Sequence, residues 1–290
     1  LLSSVGLILV LIVKMMFANS SRANKNLYGS ARWADKKDIE SAGLLSSKKS
    51  KGGEAVYVGA WCDKSGKTHY LKHSGPEHVL CFAPTRSGKG VSLVIPTLLS
   101  WTQSTVITDL KGELWALTAG WRKQHANNNV LRFDPASPSS CHWNPLDEIT
   151  IDSGTEVADV QNLVNLIVDP DGKGLETHWQ KTAHALLVGL ILHVLYKAER
   201  DGIPATLPAV DAMLSDPDRD IRELWMEMIM PENGDTHPVI AAAARDMLDR
   251  PEEEAGSVLS TAKSYLALYR DPIVAGNIGD SDFYIRDLMH

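Results

Sequence analysis

Ala83-Pro84-Thr85-Arg86-Ser87-Gly88-Lys89-Gly90 follows the apolar run Val79 to Phe82 and precedes a helical pattern from Lys89 to about Leu99. Glycine and lysine at a helix start suit phosphate chemistry. Backbone N–H groups and the positive helix end attract phosphate oxygens, while the lysine reaches the β and γ positions. On this reading Thr85, Arg86, Ser87, Gly88, Gly90 and Val91 form the cradle and Lys89 is the residue that neutralises charge during phosphoryl chemistry. ATP with Mg2+ is the ligand expected. Two positions depart from the general G-x-x-x-x-G-K-[ST] pattern: Ala83 stands at the first glycine and Gly90 at the hydroxyl residue. Ser87 and Ser92 are the neighbouring hydroxyls available to a metal or its water. The residues alone leave an ordinary tight turn before a helix as the alternative, with Arg86 a solvated loop arginine or a contact to a neighbouring subunit.

Asp109 closes a second apolar run, Val106-Ile107-Thr108, so it is a candidate to approach the same nucleotide. Its competitor is local: Asp109, Lys111 and Glu113 also suit a helix start, where an acid stabilises by about 0.3–1 kcal/mol without any ligand. No side-chain cluster calls for a resident protein-ligated metal. Cys62, Cys81 and Cys141 are far apart, and His178, His184 and His193 lack H-E-x-x-H or comparable spacing. The cysteine usage fits a reducing compartment. Trp101, Trp115, Trp121 and Trp179 are expected to pack and not to stack on bases.

The elements that position these residues follow from periodicity. Strands are expected at Ala55 to Ala60, Thr68 to Lys72, Val79 to Phe82, Thr105 to Leu110 and Val130 to Phe133, with helices from Lys89 to about Leu99 and Leu114 to His125. Strand and helix alternate, as in a parallel α/β sheet. Beyond Ile149 the pattern turns almost wholly helical, over Glu156 to Val168, His178 to Arg200, Leu207 to Leu214, Arg219 to Met230, Pro238 to Leu248 and Glu252 to Leu268. Ala183, Leu186, Leu187, Leu190, Ile191, Val194 and Leu195 mark one core-facing stripe.

The chain opens on an apolar run, Leu1 to Val13, which reads as the remainder of a transmembrane helix (1–18), since a full span needs about 20 apolar residues. From Lys14 to Lys51 nine basic residues face three acids, a bias that places this side in the cytoplasm. The net charge is nevertheless −7. Much of the acid lies between Asp201 and Glu254, where fourteen carboxylates meet four arginines, a composition that repels a phosphate backbone and suits a basic protein.

Gly88 to Leu99, Asp109-Leu110-Lys111-Gly112-Glu113, Leu117 to Arg122, Phe133-Asp134-Pro135 and Asn144-Pro145-Leu146-Asp147 resemble, in order, landmarks of the type IV coupling proteins, the TraG-like conjugative DNA transfer ATPases. Tyr28-Gly29-Ser30-Ala31-Arg32-Trp33-Ala34 resembles the segment that family carries just after its last membrane helix. Glycine after the lysine is also similar to that family's loop. The resemblance implies a RecA-like P-loop NTPase with a parallel sheet, an inserted all-α domain and an anchor in the bacterial inner membrane, its ATPase portion in the cytoplasm. It further implies a homo-hexamer that brings single-stranded DNA and its relaxase or relaxosome to a type IV secretion channel.

The implied organisation is a transmembrane remnant (1–18), a membrane-proximal linker (19–53), the first part of the nucleotide-binding domain (54–149), an all-α domain (150–270) and a return toward the nucleotide-binding domain (271–290). The apolar run ending Asp-Glu that such ATPases use for magnesium and water is not found after Lys89, so the chain end is read as a truncation and the chain itself as binding-competent at most. A nucleotide-sensitive substrate receptor without motor activity is the alternative. An unrelated P-loop kinase or transport ATPase fits the loop but not the ordered landmarks.

Overall fold

The computed structural model describes residues 32–45, 55–231 and 237–289. The proposed membrane remnant and most of the basic linker lie outside those residues. Among the described residues no helix is long and apolar enough to cross a membrane. The chain divides into two compact units at Trp101/Thr102, and each is described by itself.

The first unit begins with a short helix, α1 (Lys36–Ser41), whose N-cap Asp35 and first-turn Asp38 satisfy each other's backbone N–H groups in a capping box. Two strands follow, β1 (Val56–Cys62) and β2 (Thr68–His73), paired as an antiparallel hairpin. Asp63 builds the turn between them, accepting from Ser65 N–H, Lys67 N–H and His69 Nε2. Then come an irregular stretch through Phe82, the glycine-bearing loop, and a helical segment that starts with a π-turn (Gly90–Val94) and continues as α2 (Ile95–Leu98). β1 packs on this helical segment, and Tyr57 N–H donates to Thr97 Oγ1 at 3.0 Å.

In the second unit, α3 (Glu113–His125) is followed by a single 3-10 turn (Pro145–Glu148) and a helical assembly: α4 (Glu156–Val168), α5 (His178–Asp201), α6 (Leu207–Ser215), α7 (Ile221–Ile229), α8 (Pro238–Asp249), α9 (Glu252–Leu266) and α10 (Pro272–Asn277). α5 is the axis, with α4, α6, α8 and α9 packed around it. Thr177 and Gln180 form its capping box, and Gly202 ends it in the left-handed conformation. Leu186, Leu187, Leu190, Ile191 and Leu192 are fully buried, each contributing about 1.5–3 kcal/mol relative to an exposed side chain. Gly189 lets α8 approach closely: a Cβ there would lie 2.3 Å from that of Ala243.

The helical expectations are met to within a few residues, but the parallel sheet is not seen. Among the described residues the sheet is the antiparallel β1–β2 pair. The runs 79–82, 105–110 and 130–133 have no ladder partners, and Leu80, Phe82, Val106 and Leu110 are exposed. The reason is physical: a strand exists by pairing, and apolar alternation supplies the side chains of a ladder but not the neighbour.

Candidate nucleotide-binding site

The loop from Ala83 to Gly90 takes a conformation that two residues make possible. Arg86 has φ 64°, unusual for a side chain with a Cβ, and Gly88 has φ 90°, where a Cβ would be strained. Between them Ser87 N–H donates to Pro84 O at 3.3 Å, tightening the turn. Lys89 then opens the helix and folds its side chain back, so that Nζ donates to Ala83 O at 3.0 Å and Pro84 O at 3.1 Å. The ammonium thus lies across the mouth of its own loop. Thr85, Arg86, Ser87 and Gly88 are exposed around it, with Val91 exposed on the first turn beyond.

This arrangement fits a polyphosphate. The helix start supplies N–H groups with no intrahelical partner, the ammonium is already at the loop, and a Cβ built on Gly90 finds no heavy atom within 4 Å. The open space at Gly90 leaves the backbone approachable. Ser92, one of the two hydroxyls considered for the metal, donates to Gly88 O at 2.7 Å and so follows the helix back toward the loop. Ser87 is exposed, its backbone engaged in the turn.

Asp109 belongs to the second unit, where its Oδ2 accepts from Trp115 N–H at 2.9 Å. That bond holds the start of α3, in agreement with the helix-start role. Asp109 also lines a cavity of about 930 Å3 bounded by the segments 104–112 and 127–135, by α3 and by residues 282–288. Arg122 forms part of its wall. Its buried guanidinium donates to Gln103 O at 2.8 Å, and burial lowers its pKa. Sequence reasoning did not single out Arg122 for this place; the Leu117 to Arg122 landmark carried the signal.

Two other landmarks resolve into a clasp. Fully buried Asn144 donates through Nδ2 to Asp147 Oδ1 at 2.9 Å and Ala205 O at 2.7 Å, and accepts from Leu146 N–H at 3.1 Å. Asn277, at the far end of the helical assembly, donates to Pro135 O and Ser137 O at 2.9 and 2.8 Å. Between these, His142 Nδ1 meets Asp280 at 2.7 Å and Ser281 Oγ donates to Asp147 at 2.7 Å. The Phe133-Asp134-Pro135 and Asn144-Pro145-Leu146-Asp147 segments therefore fasten the end of the helical run to its beginning.

The family profile described as type IV secretory system conjugative DNA transfer matches residues 32–290. The chain belongs to that family. It is 65% identical to a conjugal transfer protein TraG of Escherichia coli, over 99% of this chain and 47% of the relative. A VirD4 protein of Rhizobium radiobacter is 29% identical over 98% of this chain and 40% of its own length. A type IV secretion system-coupling protein VirD4 of Bartonella quintana is 24% identical over 72% of this chain and 37% of its own. The chain thus spans about half the length of the TraG relatives it matches. The match covers the loop, the clasp and the helical assembly together.

The tryptophans pack to different degrees. Trp121 stacks on His125 at 5.6 Å, but Trp179 stays 42% exposed, edge-on to His178. Helical periodicity does not distinguish a core face from a partly wet one at the first turn of α5. His193 is buried, with Nε2 at 3.4 Å from Glu227 Oε1.

Proposed function

We propose that the chain is the nucleotide-binding part of a membrane-anchored coupling ATPase that passes single-stranded DNA, with its relaxase, to a type IV secretion channel at the bacterial inner membrane. The observation that supports this most directly is the position of Lys89, whose ammonium lies across the mouth of a loop that opens a helix, in a chain of the conjugative DNA transfer family.

In this reading Thr85, Arg86, Ser87, Gly88, Gly90 and Val91 hold the phosphates of ATP. Lys89 exchanges its bonds to Ala83 O and Pro84 O for the β and γ phosphates, an exchange of neutral acceptors for charged ones and so a stronger set. Mg2+, when bound with the nucleotide, supplies charge neutralisation between phosphates. Ser87 and Ser92 are the hydroxyls beside the loop proposed to face that region. The runs 79–82, 105–110 and 130–133 are proposed as strands of the RecA-like parallel sheet, with the helical assembly as its inserted all-α domain and a homo-hexamer as the working form. Their exposed apolar residues support this, because such side chains are normally covered.

The receptor alternative drew on the acid-rich helical run, yet several of those acids are engaged inside it. Asp211 forms a two-pronged pair with Arg270, Glu227 binds Lys197 and Arg219, and Arg250 binds both Asp246 and Glu254. These pairs are internal stitching. The motor reading is therefore preferred.

Equilibrium binding of a fluorescent ATP analogue to the chain in detergent tests the site. Lys89→Ala is expected to weaken binding by about tenfold or more, the loss of one charge-assisted set of hydrogen bonds. Equal affinity of Lys89→Ala and the parent chain would remove the loop from the nucleotide site.

A further inference from the structure

One face of the β1–β2 hairpin carries a cluster that nucleotide binding does not use. The register pairs Tyr57 with Lys72, Ala60 with Tyr70 and Cys62 with Thr68. Side chains alternate along a strand, so Thr68, Tyr70 and Lys72 share one face with those partners. It is the wet face: Ala60, Cys62, Thr68 and Tyr70 are exposed, while Trp61, His69 and Leu71 on the other face are half-buried. Tyr70 is 64% exposed, and its ring meets that of Tyr57 edge-on at 5.9 Å. The Lys72 ammonium sits 4.8 Å from the Tyr57 ring centre.

The charge around this face contrasts with the chain as a whole. Residues 55–76 contain three lysines and two histidines against one carboxylate, in a chain of net charge −7. That carboxylate, Asp63, is occupied by Ser65, Lys67 and His69 and is held well below the usual carboxylate range, first by the Ser65 hydroxyl and then by His69. Lys64 and Lys67 are exposed at the turn and form no ion pair among the described residues. Lys72 lies two residues from Tyr70 on the same face, roughly 7 Å along the strand, and Lys64 stands exposed at the turn that ends the hairpin.

We propose that this hairpin face binds single-stranded DNA, with a base stacked on Tyr70 and backbone phosphates held by Lys72 and by Lys64 at the turn. Aromatic rings bind bases of any sequence through their π faces, and flanking cations track the phosphates. A polar protein partner would gain little from a lone exposed ring set among lysines, whereas a polyanion with stackable bases is complementary to both. The DNA-transfer reading supplies the choice of DNA. The site is nevertheless separate from the phosphate loop, so the two fail independently. Because Tyr57 N–H is bonded to Thr97 on the helix that follows the loop, a strand bound here lies on an element in direct contact with that helix.

The test is fluorescence anisotropy of a labelled oligo(dT) with the full chain in detergent, at several salt concentrations and without nucleotide. Tyr70→Thr keeps a good strand former and removes the ring; it is expected to weaken binding about tenfold, with Tyr70→Phe close to the parent. Lys64→Gln with Lys72→Gln is expected to reduce the slope of log affinity against log salt by about 1.4, two single-strand phosphate contacts at roughly 0.7 each. Circular dichroism melting confirms that the variants remain folded. Unchanged affinity and slope in these variants would overturn the hairpin site while leaving DNA transfer and the ATP site standing. Absence of oligo(dT) binding by the parent chain would overturn it as well.

Discussion

Lys89 and Asn144 show how differently two polar residues serve the chain. Lys89 is held by two carbonyls of its own loop, bonds that a charged acceptor can replace. Asn144 is fully buried with Nδ2 and Oδ1 both engaged, so nothing can replace its bonds without movement. Asn144→Ala is accordingly expected to destabilise the second unit by about 2–3 kcal/mol, since it leaves the Leu146 N–H and Ala205 O unsatisfied in a buried place. Urea unfolding followed by tryptophan fluorescence measures this; a loss below about 0.5 kcal/mol would contradict the clasp. The glycine–lysine step and its helix were legible in the residues. The clasp was not, because its partners lie some 140 residues apart in sequence, as in the bond from Asn277 to Ser137, and only family resemblance marked them.

At the scale of elements, helices were legible because their periodicity and caps are local: Thr177 with Gln180, Asp220 and Asp271 all begin helices by accepting from the first turn. Strands 79–82, 105–110 and 130–133 were read from apolar content alone, and pairing is not a local property. The α5–α7 contact carries a pH dependence. Burial pushes the Glu227 carboxyl up, but hydrogen bonds from Lys197 and Arg219 more than reverse this and hold it at about 2, against an ordinary 4.5. A carboxylate lowered on folding contributes stability that is present above about pH 4.5 and is lost as pH falls toward 2. His193 acts in the same direction: burial lowers its pKa below 6.5, so the unfolded chain takes up the proton first. Stability of the helical unit is therefore expected to fall from about pH 6.5 downward, and more steeply below 4.5. Glu227→Gln should lower the melting midpoint at pH 7, costing about 1–3 kcal/mol, and flatten the limb below pH 4.5. A melting profile in which the variant parallels the parent from pH 7 to 3 would show that the ion pairs contribute nothing.

For the whole molecule, family membership joins features that the two units show separately: a phosphate-type loop and a basic hairpin in the first, and a clasped helical assembly in the second. The chain spans about half of its TraG relatives, so the proposed motor activity is tested on the full-length protein. The most direct test is ATP turnover by that full-length protein in detergent, with and without single-stranded DNA, beside Lys89→Ala. A DNA-stimulated rate that Lys89→Ala abolishes is the result the account predicts. Turnover that is indifferent to DNA, or unchanged by Lys89→Ala, would contradict it.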